Sequence, residues 1–399
     1  MAQCLDRIIA SMDTGVDDAL ALAYLLGSAD ECELSGVIAS YGNVDANTAY
    51  ANTRAVLDLF GRADIPVFLG SEHPSWADAF IPDAGCAQFH GDDGLGNTWL
   101  AGSGALADGA GVPGDMSGDD MSVDVPDGVV SVGGYLAGDV HAHPALGSYP
   151  RVGRSRSVDR PQSATSTALV SGGTRRCSVD AADGIEYLIE QVREFGRDVT
   201  VLSTGPLTDV DAAITRAPDI ASKLRLVMMG GTLTQPGNCW DAVAETNIIQ
   251  DPEAANRVFH SGADITMVGL DVTHQCLLTR SAAYRWRATG TKRGRFLADL
   301  ADFSIKANLE ADTALFSGGM PLHDPLAAAV ALDSSLVDCF DLALRAETNT
   351  GDFNGVRGRT TGDPVGLVNH SMPHVHVALG VDSGRFLDEF AERMAEVCR

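Results

Sequence analysis

Apolar positions along the chain fall into two alternating rhythms. "RIIASM" reads as a short buried strand and gives way at Asp17 to an alanine- and leucine-rich helical stretch, "DDALALAYLLG". "LSGVIAS" follows as a second strand, a helix is expected from about Ala46 to Phe60, and "IPVFLG" reads as a third strand. The rhythm resumes beyond residue 180 with the helical "GIEYLIEQVREFG", the strands "DVTVLS" and "LRLVMMGG", a helix opened by "DPEAANRVF", and the strand "DITMVGLDVT". Strands alternating with helices predict an α/β fold, a Rossmann-like, mainly parallel sheet flanked by helices. In "MPHVHVAL", His374 and His376 alternate as strand residues on one sheet face and are assigned no metal.

Residues 97–178 break the pattern. They are rich in Gly, Ser, Asp and Ala, with seven aspartates and no Lys or Arg up to Val140, then six arginines from Arg151 to Arg176. The expectation is a single catalytic domain over 1–399 carrying this stretch as a flexible or partly disordered insertion. Because it follows "HGDDGLG", it is a candidate lid.

The 399 residues include 54 acidic and 28 basic ones, for a formal charge of −26, which disfavours nucleic acid and anionic membranes as partners. The eight cysteines are scattered, with no CxxC pair, as expected of free thiols in a reducing cytoplasm. No apolar run reaches the roughly 20 residues that a membrane span needs, so the chain is expected to be soluble and cytoplasmic.

In "MDTGVDD", Asp13, Asp17 and Asp18 stand just after the first strand, on the rim where open α/β sheets bind ligands. Like charges crowded this way raise one another's pKa, and a bound cation offsets the repulsion. Helix capping accounts for one or two of the three. Carboxylates with no His or Cys beside them suit a hard cation, Ca²⁺ or Mg²⁺. Three further stretches put polar groups at a strand end or a helix start: "STGPLTD", "PGNCWDAVAETN" and "PLHDPL". Taken singly, Asn238 and Asn247 read as turn residues, Glu245 as a loop charge, and Asp324 as a helix N-cap before Pro325.

Taken together, "MDTGVDDALAL", "HGDDGLG", "STGPLTD", "VMMGG", "AETNIIQDPEAA", "MVGLDVTHQ" and "PLHDPL" stand in an order that resembles the inosine/uridine-preferring nucleoside hydrolase family. The resemblance implies hydrolysis of the N-glycosidic bond of ribonucleosides to free base and ribose, a role in nucleoside salvage, and a homodimer or homotetramer. It further implies Ca²⁺ held by Asp13, Asp18, Asp324 and the main-chain carbonyl of Thr204, with Asp13 as general base toward a Ca²⁺-bound water. Asp17, Asn43, Asn238, Glu245 and Asn247 match ribose-binding positions, and His90 and His323 match pocket histidines.

Glycosidic cleavage builds positive charge on the sugar, which acidic residues stabilise, while the departing base needs an acid or hydrogen-bond donor, for which His90 and His323 are the candidates. Asn308, aligned where inosine-cleaving relatives tend to have an aromatic, tilts the base pocket toward pyrimidines.

Three positions depart from the family pattern: Ser11 replaces an aspartate, Thr14 a proline and Thr246 a common aromatic. These support one alternative, a nucleoside-binding protein without turnover. A second, Mg²⁺-dependent phosphoryl transfer, is disfavoured by the lack of a Gly-rich phosphate loop with its Lys.

Overall fold

The computed structural model describes residues 5–82, 84–98, 100, 182–239, 242–350 and 354–399. The insertion expected at 97–178 therefore lies, apart from residues 97, 98 and 100, outside the described residues. The first half runs β1 (Asp6–Met12), α1 (Val16–Leu26), β2 (Cys32–Ala39), α2 (Ala46–Leu59), β3 (Val67–Leu69) and α3 (Ala84–His90). The second begins with α4 (Ala182–Phe195), β4 (Val199–Ser203), α5 (Thr208–Arg216), β5 (Arg225–Met229), α6 (Thr246–Gln250), α7 (Pro252–Phe259) and β6 (Asp264–Val268). It continues with α8 (Leu270–Thr273), β7 (Leu277–Leu278), α9 (Arg280–Ala288), α10 (Lys292–Ala311), β8 (Met320–Pro321) and α11 (His323–Leu332). The last elements are β9 (Val337–Leu342), β10 (Leu344–Ala346), β11 (Thr360–Gly362), α12 (Pro364–Val368), β12 (Val375–Val381) and α13 (Ser383–Val397).

Eight strands form one sheet in the order β3-β2-β1-β4-β5-β6-β12-β9, with every neighbouring pair parallel except β12–β9. The chain winds outward from β1 through β2 to β3, then returns to place β4 on the other flank of β1. That reversal opens a crevice at the carboxyl ends of β1 and β4, which is where the residues following both strands meet. Strand β1 is apolar throughout because both of its faces are covered. Ile8, Ala10 and Met12 pack with α1, α10, α11 and α13, while Ile9 packs with α4, α5 and α7.

Helix α1 is enclosed from its first turn onward, with Val16 to Leu25 all buried, so Asp17 and Asp18 enter the interior with it. The histidine pair at 374 and 376 differs from expectation. His376 lies in β12 and bonds Asp341 Oδ1 of β9 at 2.6 Å, but His374 precedes the strand. Pro373 stands just before it and has no N–H to give to a ladder. Among the described residues, no helix is long and apolar enough to cross a membrane.

Candidate active site

The loop from Asp13 to Gly15 turns the end of β1 into α1. Gly15 is the N-cap residue, and its N–H donates to Asp18 Oδ2 at 2.7 Å, so Asp18 does cap the helix as capping logic allows. Asp13 does not cap; its Oδ2 accepts from the Asn43 N–H at 2.7 Å. Backbone must come very close to do this. A Cβ on Gly42 would sit on Asp13 Oδ2, and one on Gly15 would sit on His90 Nδ1, so both positions need glycine for its lack of a side chain. The loop is also pinned from outside, where Asn52 Nδ2 donates to the Thr14 carbonyl at 3.2 Å and to the Asp93 carbonyl at 2.8 Å. Asn52 thereby ties the aspartate loop to the segment that follows His90.

The two unusual residues in this loop are both accommodated. Ser11 Oγ donates to Asp209 Oδ2 at 2.9 Å, and Thr14 Oγ1 and Thr53 Oγ1 share a hydrogen bond at 2.6 Å. A carboxylate at position 11 would face the buried Asp209 carboxylate; the serine gives it a donor instead.

Asp17, Asp18 and Asp324 bring one carboxylate oxygen each to within 4.8 Å of one another, all buried, an arrangement that can hold a metal ion. Asp324 comes from the first turn of α11, which Leu322 caps, so it is not the N-cap its sequence context suggested. Asp13 is fully buried beside this group, and its charge and theirs act on one another. Asp13 Oδ1 and Asp17 Oδ1 are buried and accept no hydrogen bond from any described residue.

Burial pushes the Asp13 and Asp324 carboxyls well above the usual range, and their neighbours' negative charge adds to it. Burial likewise moves Asp17 and Asp18 up to about 6. Four buried acids with two orphaned oxygens fit an oxygen-liganded divalent cation.

Thr204, just past β4, contributes from the other side of the crevice. Its hydroxyl donates to Asp18 Oδ1 at 2.6 Å, and its carbonyl accepts from Asn247 Nδ2 at 2.7 Å. Asn43 Nδ2 reaches Asp18 Oδ2 at 3.4 Å, so this residue links the two aspartates, Asp13 through its backbone N–H and Asp18 through its side chain. Glu245 is buried rather than an exposed loop charge. It caps α6, accepting from the N–H groups of Asn247 (3.0 Å), Ile248 (3.2 Å) and Gly231 (2.9 Å). Asn238 is exposed and accepts from the Thr246 N–H and hydroxyl, both at 3.0 Å.

Three histidines gather beside the acids. His90 Nδ1 accepts the Val16 N–H at 3.2 Å, which leaves Nε2 as the protonated nitrogen of the neutral ring, and it stands 3.6 Å from Asp17 Oδ1. Burial pushes His90 down to about 4. His323, first residue of α11, bonds Thr273 Oγ1 at 2.8 Å through Nδ1, and burial, then His274 and His90, hold it well below the usual imidazole range. His274 packs against it with the two rings tilted by 59° and their centroids 5.6 Å apart. Asn308 is buried on α10, with its amide nitrogen bonded to Ser304 O (2.9 Å) and Oγ (3.1 Å) of its own helix. α10 packs against α3 and β8, the elements that carry and precede the pocket histidines.

Sequence reasoning missed Gly15, Gly42, Asn52, Thr273 and His274. Their only signal was membership of the loaded segments, because their roles depend on what approaches them in space.

Known proteins match this arrangement across its length. The family model for inosine-uridine preferring nucleoside hydrolase matches residues 8–388. A pyrimidine-specific ribonucleoside hydrolase RihA of Enterobacter sp. (strain 638) is 30% identical over 390 residues, covering 98% of this chain and 97% of that protein. The structure of a purine-preferring ribonucleoside hydrolase from Gardnerella vaginalis superposes with a TM-score of 0.73 at 34% identity, covering 98% of this chain and 99% of its own. A plant nucleoside hydrolase superposes with a TM-score of 0.71 at 26% identity, covering 98% and 99%. This chain belongs to the inosine-uridine preferring nucleoside hydrolase family and is a ribonucleoside hydrolase.

Proposed function

We propose that the chain cleaves the N-glycosidic bond of pyrimidine ribonucleosides, with Ca²⁺ held by Asp13, Asp18, Asp324 and the Thr204 carbonyl, and with Asp13 as general base. The observation that carries this reading is a cluster of buried carboxylates just beyond the carboxyl end of β1 and in the first turn of α11, with neutral imidazoles beside it. Asp17 shares the acidic cluster, so it stands close enough to serve the cation as well as a ribose hydroxyl. When bound, the cation supplies positive charge that holds the carboxylates ionised and acidifies a water at the site.

Asp13 Oδ1, buried and free of hydrogen bonds from described residues, is the oxygen suited to take a proton from that water. Electron density leaves the ribose as the C–N bond breaks, and the acids around the sugar stabilise the resulting charge. Asn43, Asn238, Glu245 and Asn247 bind the ribose in this reading. Glu245 spends three acceptor sites on backbone N–H groups, and a carboxylate has about four, so it retains room for one hydroxyl. His323 and His90 offer N–H groups to the departing base, and Asn308 lines the base pocket without a stacking face.

Asp13→Asn is expected to lower kcat by ~10² to 10⁴, the range of general-base catalysis, and near-normal turnover would remove Asp13 from that role. The relatives' names divide on the base, pyrimidine for one and purine for another. A kcat/KM higher for inosine than for uridine would overturn the pyrimidine assignment. A homodimer or homotetramer in the cytoplasm completes the proposal, and a monomer by sedimentation equilibrium would correct it.

A further inference from the structure

Asp209 is completely buried in the first turn of α5 and does not belong to the acidic cluster. Burial pushes its carboxyl up, so keeping a carboxylate here costs the fold free energy. Its two oxygens reach two different segments. Oδ2 accepts from Ser11 Oγ of β1 at 2.9 Å, and Oδ1 accepts from the Ser71 N–H, just past β3, at 2.7 Å. Backbone closes on it as well, since a Cβ on Gly70 would stand 2.4 Å from Oδ2.

Both segments lead to the acidic site. Ser11 stands two residues before Asp13, and its carbonyl accepts from the Thr204 N–H at 2.9 Å. The Ser71 carbonyl accepts from the Tyr41 N–H at 3.1 Å, and Tyr41 leads through Gly42 to Asn43, whose N–H donates to Asp13 Oδ2 at 2.7 Å. Tyr41 is held at its other end too. The Thr208 hydroxyl gives its hydrogen to Asp251 Oδ2 at 2.8 Å, so Tyr41 is the donor in the 2.7 Å bond between its hydroxyl and Thr208. The first turn of α5 therefore clasps Tyr41 twice, by the ring through Thr208 and by the backbone through Asp209 and Ser71. Gly42 has no slack to absorb a shift of Tyr41, because a Cβ there would stand 2.0 Å from Asp13 Oδ2.

We infer that Asp209 is a positioning residue for Asp13: it fixes the end of β1 and the turn 41–43 against each other, so that the Asn43 N–H meets Asp13 Oδ2 and the carboxylate keeps one orientation. The inference rests on the nucleoside-hydrolysis reading, in which Asp13 is the general base. Asp209 itself touches neither water nor substrate and exchanges no proton with them. Its bonds act on the aim of the base, and a misplacement of about 1 Å can cost on the order of 10² in rate.

The test compares wild type with Asp209→Ala, Asp209→Asn and Tyr187→Phe by steady-state kinetics on uridine in saturating Ca²⁺, well below the unfolding temperature of each. Asp209→Ala is expected to lose roughly 10- to 100-fold in kcat with KM little changed. Asp209→Asn should recover most of that loss, because its amide oxygen can accept the Ser71 N–H and its amide nitrogen can donate to the Ser11 oxygen. Tyr187→Phe deletes a bond to the Ser35 carbonyl at 2.9 Å, away from this clasp, and should keep kcat. A wild-type kcat in Asp209→Ala, a loss carried by KM alone, no recovery in Asp209→Asn, or an equal kcat loss in Tyr187→Phe would make Asp209 a structural residue and overturn the inference. If Asp209→Ala does not fold, Tyr41→Phe, which opens the other half of the clasp, decides: a several-fold lower kcat at little-changed KM supports the inference and an unchanged kcat overturns it. A wild-type enzyme that releases no ribose would instead refute the hydrolysis reading, and the inference with it.

Discussion

Stripped of its cation, the protein is expected to lose stability as the pH rises from about 4 through about 6 and beyond, opposite to the behaviour of carboxylates that are paired in the folded state. The sign follows from burial. Asp17 and Asp18 move from their ordinary 3.8 up to about 6, and Asp13 and Asp324 move further up. Between those values the folded chain holds protons that the unfolded chain has released, so raising the pH through the folded value favours unfolding. At about 1.4 kcal/mol per pH unit, a carboxyl moved from 3.8 to about 6 costs the folded state about 3 kcal/mol once both values are passed.

Asp18→Asn deletes one such group and should make the slope shallower by up to about 1.4 kcal/mol per pH unit between about pH 4 and about pH 6. Ca²⁺ at about 100 times its Kd should add about 2.7 kcal/mol, and more at high pH than at low, because protons compete for the same oxygens. The assay is thermal unfolding by circular dichroism over a pH series, in chelator and in excess Ca²⁺, for wild type and Asp18→Asn. A chelated wild-type Tm that climbs with pH across this window would refute the reasoning. So would an Asp18→Asn slope identical to wild type.

Gly42→Ala should abolish most activity, since its Cβ has nowhere to go but into Asp13 Oδ2, whereas Gly205→Ala, whose Cβ would stand 3.2 Å from the Asp13 Cβ, should be much milder; kinetics on one substrate ranks them. Asn247→Ala removes donors to the Thr204 carbonyl at 2.7 Å and the Met229 carbonyl at 3.1 Å, and should destabilise the fold by about 1–3 kcal/mol in urea unfolding while also weakening Ca²⁺ binding. Thr273→Val removes the hydroxyl that orients His323, and should lower kcat more than it changes KM.

The parts of this molecule that were legible in its sequence are those set by local chemistry. Buried parallel strands must be apolar runs, which is why "RIIASM" and "LRLVMMGG" could be placed as β1 and β5, and a helix that starts at a carboxylate pair announces its own N-terminus. Asp13, Asp17 and Asp18 stood out because three acids beside a buried strand need compensation.

Glu245 was harder to read, because glutamate is not among the usual N-cap residues, and nothing local says that its carboxylate would be buried and bonded to Gly231 as well as to its own helix. Asp324 looked like a cap but sits one turn position inside α11, with Leu322 as the cap. His274 was invisible as a neighbour of the pocket histidine, since Phe316 and His323 reach it only through the fold.

The central claim is that this acidic crevice hydrolyses ribonucleosides with the help of a divalent cation. The most direct measurement quantifies free ribose and free base from one uridine reaction, using chelator-stripped enzyme, the same enzyme restored with Ca²⁺, and Asp324→Asn. The account predicts base and ribose in equal amounts from restored wild type, with the stripped enzyme and Asp324→Asn far slower. Equal turnover by stripped and restored enzyme, or no ribose from any form, would contradict it.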